Sequence, residues 1–287
     1  MEDEKIIVGL VQMRMDESPE SNLAKALSMV AKAAESGAAI VCLPELFTTR
    51  YFPQKAGGRA AALGLAEEIP GKTASALSGA ARKHGISIIG GSIYEKSGSS
   101  LYNASAVFGP DGKMLGKYRK IHVPHDECFF EKDYFGEGDL GFRVFDLGAA
   151  RAGVLICYDQ WFPEAARAEA LMGADVLFYP TAIGTADGVE QSEGDWHSAW
   201  ENVMRGHAIA NGVAVAAANR CGREGGMDFW GGSFVCDAFG KTIAKAGADE
   251  EVLIARIGPG HGKAVREGWG FLRNRRPGQY GKLVEGK

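Results

Sequence analysis

The sequence has no excess of basic residues, no long apolar run and no segment that looks like a leader. Its 32 Lys and Arg side chains against 36 Asp and Glu give a formal net charge of -4. It therefore lacks the positive charge with which proteins neutralise nucleic-acid phosphates. No apolar stretch is long enough for a membrane-spanning helix, and the apolar IIVGLVQM after the acidic MEDEK is too short for a signal peptide. We expect a cytoplasmic protein whose partners include neither nucleic acid nor membrane.

Cysteines are few, and their spacing does not pair them. The chain has five, an odd number, without a CxxC motif. This is typical of free thiols in a reducing compartment and not of a disulfide framework. They are Cys42, Cys128, Cys157, Cys221 and Cys236. The sequence therefore predicts thiols that remain available for packing or for chemistry.

Apolar segments of strand length alternate with helical patterns along the whole chain, which predicts an α/β protein. The turn Pro110-Asp111-Gly112 predicts an antiparallel hairpin of strands Leu101–Phe108 and Lys113–Lys120, so the sheets should be mixed. At 287 residues the chain is long enough for one large domain or two small ones. Periodicity leaves open a doubly wound sheet or a sandwich, and it predicts a basic, loop-like tail from about residue 258.

One stretch, residues 151–173, reads RAGVLICYDQWFPEAARAEALMG. A buried strand, Ala152–Ile156, leads directly into Cys157. Pro163 then suits the first turn of a helix that ends at Gly173. A cysteine at a strand-to-helix bend has backbone N–H groups near its sulfur, and these stabilise a thiolate or an oxyanion. Cys157 is therefore a candidate nucleophile, although a lone cysteine is more often a buried packing residue.

Two further stretches carry candidate charged residues, one at the end of an apolar strand and one among alternating apolar and basic residues. IVCLPELF, residues 40–47, carries Glu45 after a buried strand, and KYRKIHVP, residues 117–124, carries Lys120. Taken singly, Glu45 would be interpreted as a capping or surface acid and Lys120 as an edge-strand lysine that discourages aggregation. Together with Cys157 they provide a base, a cation and a nucleophile.

The motifs LPELF, KYRKIHVP and LICYDQWFPEAAR resemble those of the carbon-nitrogen hydrolase (nitrilase) superfamily, over nearly the whole chain. YDQWFPEAARAEALMGADVLFYPTAIG, EKDYF and EGWGFLRNRRP resemble its N-carbamoylputrescine amidohydrolase branch. The resemblance implies one domain over residues 1–287, an α-β-β-α sandwich of two mixed sheets, with subunits pairing across helices into a homo-oligomer. It implies hydrolysis of a small linear amide without a cofactor or a metal, with N-carbamoylputrescine as the leading substrate.

The resemblance also implies roles for individual residues. Glu45 takes the proton of the Cys157 thiol, and Lys120 stabilises the oxyanion together with the backbone N–H of Tyr158. Glu131 matches a second glutamate of the family, which positions Lys120 or the amide nitrogen of the substrate. By sequence alone, the EKD run that begins at Glu131 is more often a solvated charge run.

Aromatic and acidic residues are expected to form the substrate pocket. Tyr51 and Trp161 follow the glutamate and cysteine motifs and should wall a narrow pocket with Tyr158, although aromatics at such places are more often core residues. The branch carries a glutamate soon after TAIG that receives the distal ammonium of the diamine, but this chain has Ala186 there. The acids that we expect to replace it are Asp187, Asp126 and Glu127, and Glu190, Glu193 and Asp195 of the same loop as Asp187 are further candidates.

Several alternatives remain open from the sequence. Within the superfamily the chain also fits a nitrilase, an ω-amidase or a β-ureidopropionase. In a different class, it fits an inactive member that serves as a binding or interaction module. His122, His125 and Cys128 have a spacing that a zinc site would allow, although structural zinc sites usually need four ligands.

Overall fold

The computed structural model describes residues 5–285, so the acidic opening Met1–Glu4 lies outside the described range. The strands are β1 Ile6–Gln12, β2 Ile40–Cys42, β3 Ser87–Ile89, β4 Ile93–Ser97, β5 Ser100–Phe108, β6 Met114–Arg119, β7 Val144–Asp146, β8 Arg151–Val154, β9 Val176–Thr181, β10 Gly184–Ala186, β11 Ala214–Asn219, β12 Cys221–Glu224, β13 Met227–Trp230, β14 Phe234–Cys236, β15 Thr242–Lys245 and β16 Glu251–Ile257. The α-helices are α1 Pro19–Glu35, α2 Arg59–Ala62, α3 Lys72–His84, α4 Pro163–Leu171, α5 Trp196–Asn211 and α6 Pro259–Trp269.

Two mixed sheets form the centre of the molecule. One has the strand order β16-β1-β2-β3-β5-β4 with β6 paired to β5, and the other has the order β15-β14-β11-β9-β8-β7. The inner pairs β1–β2, β2–β3, β8–β9 and β9–β11 are parallel, whereas the outer pairs are antiparallel. The predicted hairpin is confirmed, because β5 and β6 pair antiparallel with Ala104 opposite Arg119.

The side chains of β2 show how the layers are arranged. Ile40 and Cys42 belong to the core between the two sheets, whereas Val41 belongs to the core between the first sheet and α1 and α3. This follows from the alternation of side chains along a strand. The helices α4 and α5 cover the outer face of the second sheet with Ala166 and Met204, among other residues. The α-β-β-α sandwich is therefore confirmed.

Two segments differ from the expectation. The prediction of a loop-like tail is wrong for Pro259–Trp269. This segment forms α6, with proline in its first turn and Gly270 in a left-handed conformation at its end. GPGHGKAVREGWG contains five glycines, three of them inside the helix, and they hide it because glycine has a poor helix propensity. The small sheet β10-β13-β12 was not predicted either. Its strands are too short to show a period, and they place the segment after Thr181 beside the site.

All five cysteines are free thiols. None of the helices within residues 5–285 combines the length and the apolar character that crossing a bilayer would need.

Candidate active site

Cys157 lies on a strained turn between the second sheet and α4. It follows β8 closely and opens a 3₁₀ helix, Cys157–Trp161, that leads to Pro163 at the start of α4. Its φ is +43°, a left-handed conformation that a residue with a Cβ adopts only when its surroundings hold it there. The Sγ–H group donates to the carbonyl of Ala182 at 3.7 Å. The thiol is thus fixed in direction at the end of a strand.

Glu45 lies at the end of the first sheet and is fully buried. Its Oε1 accepts hydrogen bonds from Asn103 Nδ2 at 2.7 Å and Lys120 Nζ at 2.9 Å. Its Oε2 is buried and accepts no hydrogen bond from any residue between 5 and 285. A buried carboxylate oxygen without a donor is costly unless it has a proton to receive. This oxygen is therefore suited to a general base.

Lys120 joins two carboxylates. Its Nζ donates to Glu45 Oε1 at 2.9 Å and to Glu131 Oε2 at 2.7 Å, and the side chain is completely buried. Burial lowers the pKa of Lys120, but the charges of Glu131 and Glu45 outweigh it, so the pKa is raised overall. Lys120 therefore stays an ammonium, a fixed positive charge in a site that excludes water.

Glu131 completes the buried cluster from the 3₁₀ helix Glu131–Asp133. Its Oε1 accepts a hydrogen bond from the Tyr51 hydroxyl at 2.7 Å. Burial raises the pKa of Glu131 against the opposing effect of Lys120, and the charge of Glu45 raises it further. Two acids share one ammonium here, and Glu131 therefore binds a proton more readily than an ordinary glutamate does.

The resting form of the nucleophile follows from the same charges. Burial raises the pKa of Cys157 well above its ordinary value, Glu45 raises it further, and Lys120 acts in the opposite direction. The thiol therefore rests protonated and has to lose its proton when it attacks. This is consistent with the free oxygen of Glu45.

Two residues at the end of β11 hold the site from behind. Asn219 receives the Ile183 N–H and donates to the Ile183 carbonyl, each at 3.0 Å. Arg220 donates to the carbonyls of Glu45 and Leu46, each at 2.8 Å, and pairs with Glu224. The backbone on both sides of the cluster is thereby fixed by buried side chains.

A cavity of about 630 Å³ opens above the cluster. Cys157 and Glu131 belong to its inner part, and both are buried. Four exposed acids line its outer part; we call them the acidic rim. They are Asp126, Glu127, Glu190 and Glu193. None of the described residues that line this cavity is a lysine or an arginine.

Most of the residues that were predicted to form the pocket line the cavity, but Tyr51 does not. Tyr158 and Trp161 line the cavity, as do Asp126 and Glu127. Tyr51, which is fully buried, lies behind Glu131 and orients that carboxylate instead of facing the opening. These substrate contacts stay predictions.

Asp187 lies outside the lining of the cavity in the part of the chain that the structure describes. It is exposed and forms an ion pair with the exposed Arg223, across the small sheet. The acidic residues of the same loop that do reach the cavity are Glu190 and Glu193.

The residues of the zinc alternative lie in different surroundings. His122 Nδ1 lies 2.7 Å from Asp159 Oδ1, and its ring stacks on Phe162 with centroids 3.7 Å apart. His125 is exposed, 3.9 Å from Asp133. Residues 5–285 contain no group of three or more His, Cys, Asp or Glu side chains arranged to hold a metal ion.

Sequence reasoning missed two residues at the site, Asn103 and Asp159. Asn103 lies within β5, where an isolated polar residue facing inward in an apolar strand was the available signal. Asp159 lies two residues after the nucleophile, near the start of a helix. An acid is common at such a position, where it caps the helix, so it gives no signal of a role at the site. The rim glutamates, which were among the candidate acids, belong to a loop whose course no pattern predicts.

The comparisons with known proteins agree with this geometry. The sequence pattern of the family described as carbon-nitrogen hydrolase matches residues 7–267. The chain belongs to the carbon-nitrogen hydrolase family. The solved structure of a carbon-nitrogen hydrolase from Helicobacter pylori G27 superimposes with a TM-score of 0.93 at 36% identity, covering 98% of this chain and 99% of that one.

Two relatives that act on different substrates are similar to this chain. One is an N-carbamoylputrescine amidase from Solanum lycopersicum, 40% identical over 97% of this chain and 95% of its own length. The other is a citrullinase from Francisella tularensis, 38% identical over 97% and 98%. This carbon-nitrogen hydrolase is therefore an amidohydrolase, but relatives with different substrates are about equally similar to it.

Proposed function

We propose that this amidohydrolase converts N-carbamoylputrescine to putrescine, carbon dioxide and ammonia, with Cys157 as the nucleophile. The acidic rim is the observation that carries the choice of substrate. N-carbamoylputrescine has a ureido group at one end and an ammonium at the other. A cation that leaves bulk water needs a carboxylate partner, and the outer cavity offers four.

The first half of the reaction begins with a proton transfer. The free Oε2 of Glu45 takes the thiol proton as Cys157 Sγ attacks the ureido carbon. The carbonyl oxygen gains the negative charge, and Lys120 with the backbone N–H of Tyr158 stabilises it. Burial strengthens this stabilisation, because water does not screen the ammonium.

The second half releases both products. Protonated Glu45 gives its proton to the terminal nitrogen, the C–N bond breaks, and ammonia leaves a carbamoyl thioester on Cys157. Glu45 then takes a proton from water, which attacks the thioester carbon, and the thiol is regenerated as the C–S bond breaks. The released carbamic acid loses carbon dioxide to give the amine. Splitting one difficult step into two is the benefit of covalent catalysis.

A substrate panel tests the choice of substrate. We expect N-carbamoylputrescine to be turned over with a higher kcat/KM than the uncharged N-carbamoylbutylamine, and much better than the anionic N-carbamoyl-β-alanine. Ammonia and carbon dioxide are measured together, because carbon dioxide release separates carbamoyl substrates from simple amides and nitriles. An equal or better rate for the uncharged or anionic compound contradicts the putrescine assignment.

Citrulline belongs in the same panel, since one relative is a citrullinase. It carries the same ureido group but adds a carboxylate beside its ammonium. The acidic rim repels that carboxylate, so we expect citrulline to have the higher KM. A higher kcat/KM for citrulline would make this protein a ureido amino acid hydrolase.

An inactive member that serves as a binding module is the alternative of a different class. It predicts that no compound of the panel is hydrolysed and that Cys157 acquires no adduct from substrate. Mass spectrometry of the enzyme mixed with substrate distinguishes the two, since the proposed mechanism requires a carbamoyl adduct on Cys157.

We also propose that the protein works as a homo-oligomer in the cytoplasm. A second cavity of about 830 Å³ lies between α4, α5 and the tail, and Leu171 and Ile209 are exposed on these helices. Arg167 Nη1 is buried there without a hydrogen-bond partner among residues 5–285. An unpartnered guanidinium nitrogen and an exposed apolar surface support a second copy as the occupant.

Sedimentation tests the assembly. We expect the wild type to sediment as a dimer or larger, and Leu171→Glu to shift it towards the monomer. Leu65→Glu is the matched control, since Leu65 is also exposed but lies on another part of the chain. A monomeric wild type, or equal effects of both variants, contradicts the proposed surface.

A further inference from the structure

A buried carboxylate beneath the nucleophile has no part in the steps above. Asp159 lies two residues after Cys157, and its side chain has no exposed surface. Its two oxygens receive four contacts of hydrogen-bond length, which is unusual for a carboxylate that meets no arginine or lysine. Because burying a charge is expensive, such a residue needs a reason to be there.

One of these four contacts, together with a backbone bond, closes the turn around Cys157. The Asp159 N–H donates to the Ile156 carbonyl at 3.1 Å, and the Ile156 N–H donates to Asp159 Oδ2 at 2.9 Å. Residues 156 and 159 are thus tied to each other in both directions, with Cys157 between them. Cys157 has the positive φ of +43°, so this pair of bonds holds the strained residue in place.

The other contacts reach the strand that carries the catalytic ammonium. The Tyr118 hydroxyl donates to Asp159 Oδ2 at 2.8 Å, and the His122 N–H donates to Oδ1 at 3.0 Å. His122 Nδ1 lies 2.7 Å from the same oxygen. Tyr118 and His122 lie two residues before and two residues after Lys120, so Asp159 holds a side chain before the lysine and the backbone after it.

We propose that Asp159 is a positioning residue that sets the thiol of Cys157 against the ammonium of Lys120. The two groups come from opposite sheets of the sandwich, β8 and β6, and Asp159 bonds the turn of one to the strand of the other. The proposal rests on the catalytic roles given to Cys157 and Lys120 above. Asp159 itself touches no reacting atom.

Alternative explanations of the four contacts make different predictions. A carboxylate that served only the stability of the core would lower the melting temperature when replaced, and kcat would follow the folded fraction. A positioning residue changes the rate of the folded enzyme, because a shift of about 1 Å in a reacting group costs about 10²-fold.

The test uses Asp159→Asn, which keeps the size of the side chain but has only one oxygen to accept hydrogen bonds. We expect kcat to fall about 10²-fold and KM to change less than about threefold. The rate at which iodoacetamide alkylates Cys157 in the folded protein, followed by mass spectrometry, should also change at least tenfold. This second readout needs no substrate, so it remains informative if the proposed substrate is wrong.

Glu169→Gln is the matched control. Glu169 on α4 is equally buried, and burial raises its pKa well above the ordinary value, so glutamine resembles its neutral form. We expect both rates of this variant within threefold of the wild type. A loss in Glu169→Gln as large as that in Asp159→Asn, or less than threefold loss in Asp159→Asn, overturns the proposal.

Two milder variants decide the matter if Asp159→Asn does not fold. Tyr118→Phe and His122→Ala each remove one side-chain contact to Asp159 and leave the carboxylate and the His122 N–H bond in place. We expect each to lower kcat about three- to tenfold with KM nearly constant. Wild-type kcat in both variants overturns the link between Asp159 and the lysine strand.

Discussion

The inner part and the rim of the active-site cavity both carry acids, but in opposite environments. Glu45 and Glu131 are completely buried, and each lies within 2.9 Å of Lys120 Nζ. The rim acids are exposed, and Glu193 accepts a hydrogen bond from the indole Nε1 of Trp196 at 3.2 Å. The same chemical group is thus paired at the centre and largely solvated at the edge.

This difference separates mechanism from substrate choice. A buried charge that loses its partner costs several kcal/mol, so each member of the inner cluster depends on the others. An exposed acid is screened by water, and its neighbours tolerate its loss. Changes to the cluster should therefore alter turnover of every substrate, whereas changes to the rim should alter the preference among substrates.

The largest effect is expected at the nucleophile. Cys157→Ala should abolish turnover of every compound in the panel, because no other group makes the covalent bond. Its circular dichroism and melting temperature should stay close to those of the wild type. The other four cysteines provide the control, since a substrate adduct found on any of them and absent from Cys157 would overturn the assignment.

Lys120 tests whether the buried cluster acts in the transition state. Lys120→Ala should lower kcat about 10²–10³-fold or more, with a much smaller change in KM, because the ammonium matters most when the oxyanion forms. Lys120→Arg should restore little, since a planar guanidinium does not replace a compact charge between two carboxylates. Near-wild-type kcat in either variant would contradict this role.

The inner cluster was predicted from sequence, and the rim only in part. Glu45 and Cys157 follow apolar strands, Lys120 follows a strand with apolar and basic residues, and strand ends on two packed sheets meet at one place. Their chemistry also depends on fixed spacing within short motifs. Asp126 and Glu127 were expected at the pocket. Which acids of the loop after Gly184 reach the cavity depends on the course of that loop, which is set by the small sheet and the ion pair of Asp187 with Arg223.

The fold shows the same division. Periodicity predicted the alternation of strands and helices, but the choice of a sandwich came from the family motifs. The helix α6 was missed because Gly260 and Gly262 weaken the local helical signal, while packing of Val265 against the body of the protein stabilises it. Asp159 was missed because three of its four contacts come from a segment that is distant in sequence.

The resting charge of the thiol provides a test by pH. Burial and Glu45 raise the pKa of Cys157 above its ordinary value, so the thiolate fraction should rise about tenfold per pH unit throughout pH 6–9. The alkylation rate of the free enzyme, measured with iodoacetamide and mass spectrometry, should rise accordingly and show no plateau. A plateau below pH 8 would mean that Lys120 holds a thiolate in the resting enzyme.

The smallest effect is expected at the rim, where the comparison can be sharpened with single substitutions. Glu190→Gln, Glu193→Gln, Asp126→Asn and Glu127→Gln each remove one of four exposed charges near the distal ammonium. Since such charges are screened, we expect at least one variant to raise KM for N-carbamoylputrescine about two- to fivefold, with kcat unchanged. KM for uncharged N-carbamoylbutylamine should stay constant in all of them, because that compound has no cation to lose a partner.

Asp187→Asn is the matched control, since Asp187 belongs to the same loop as Glu190 and Glu193 but pairs with Arg223 outside the cavity lining. Equal KM changes for the charged and uncharged compounds, or a selective effect in Asp187→Asn alone, would remove the rim from substrate recognition and leave the assignment of the inner cluster intact.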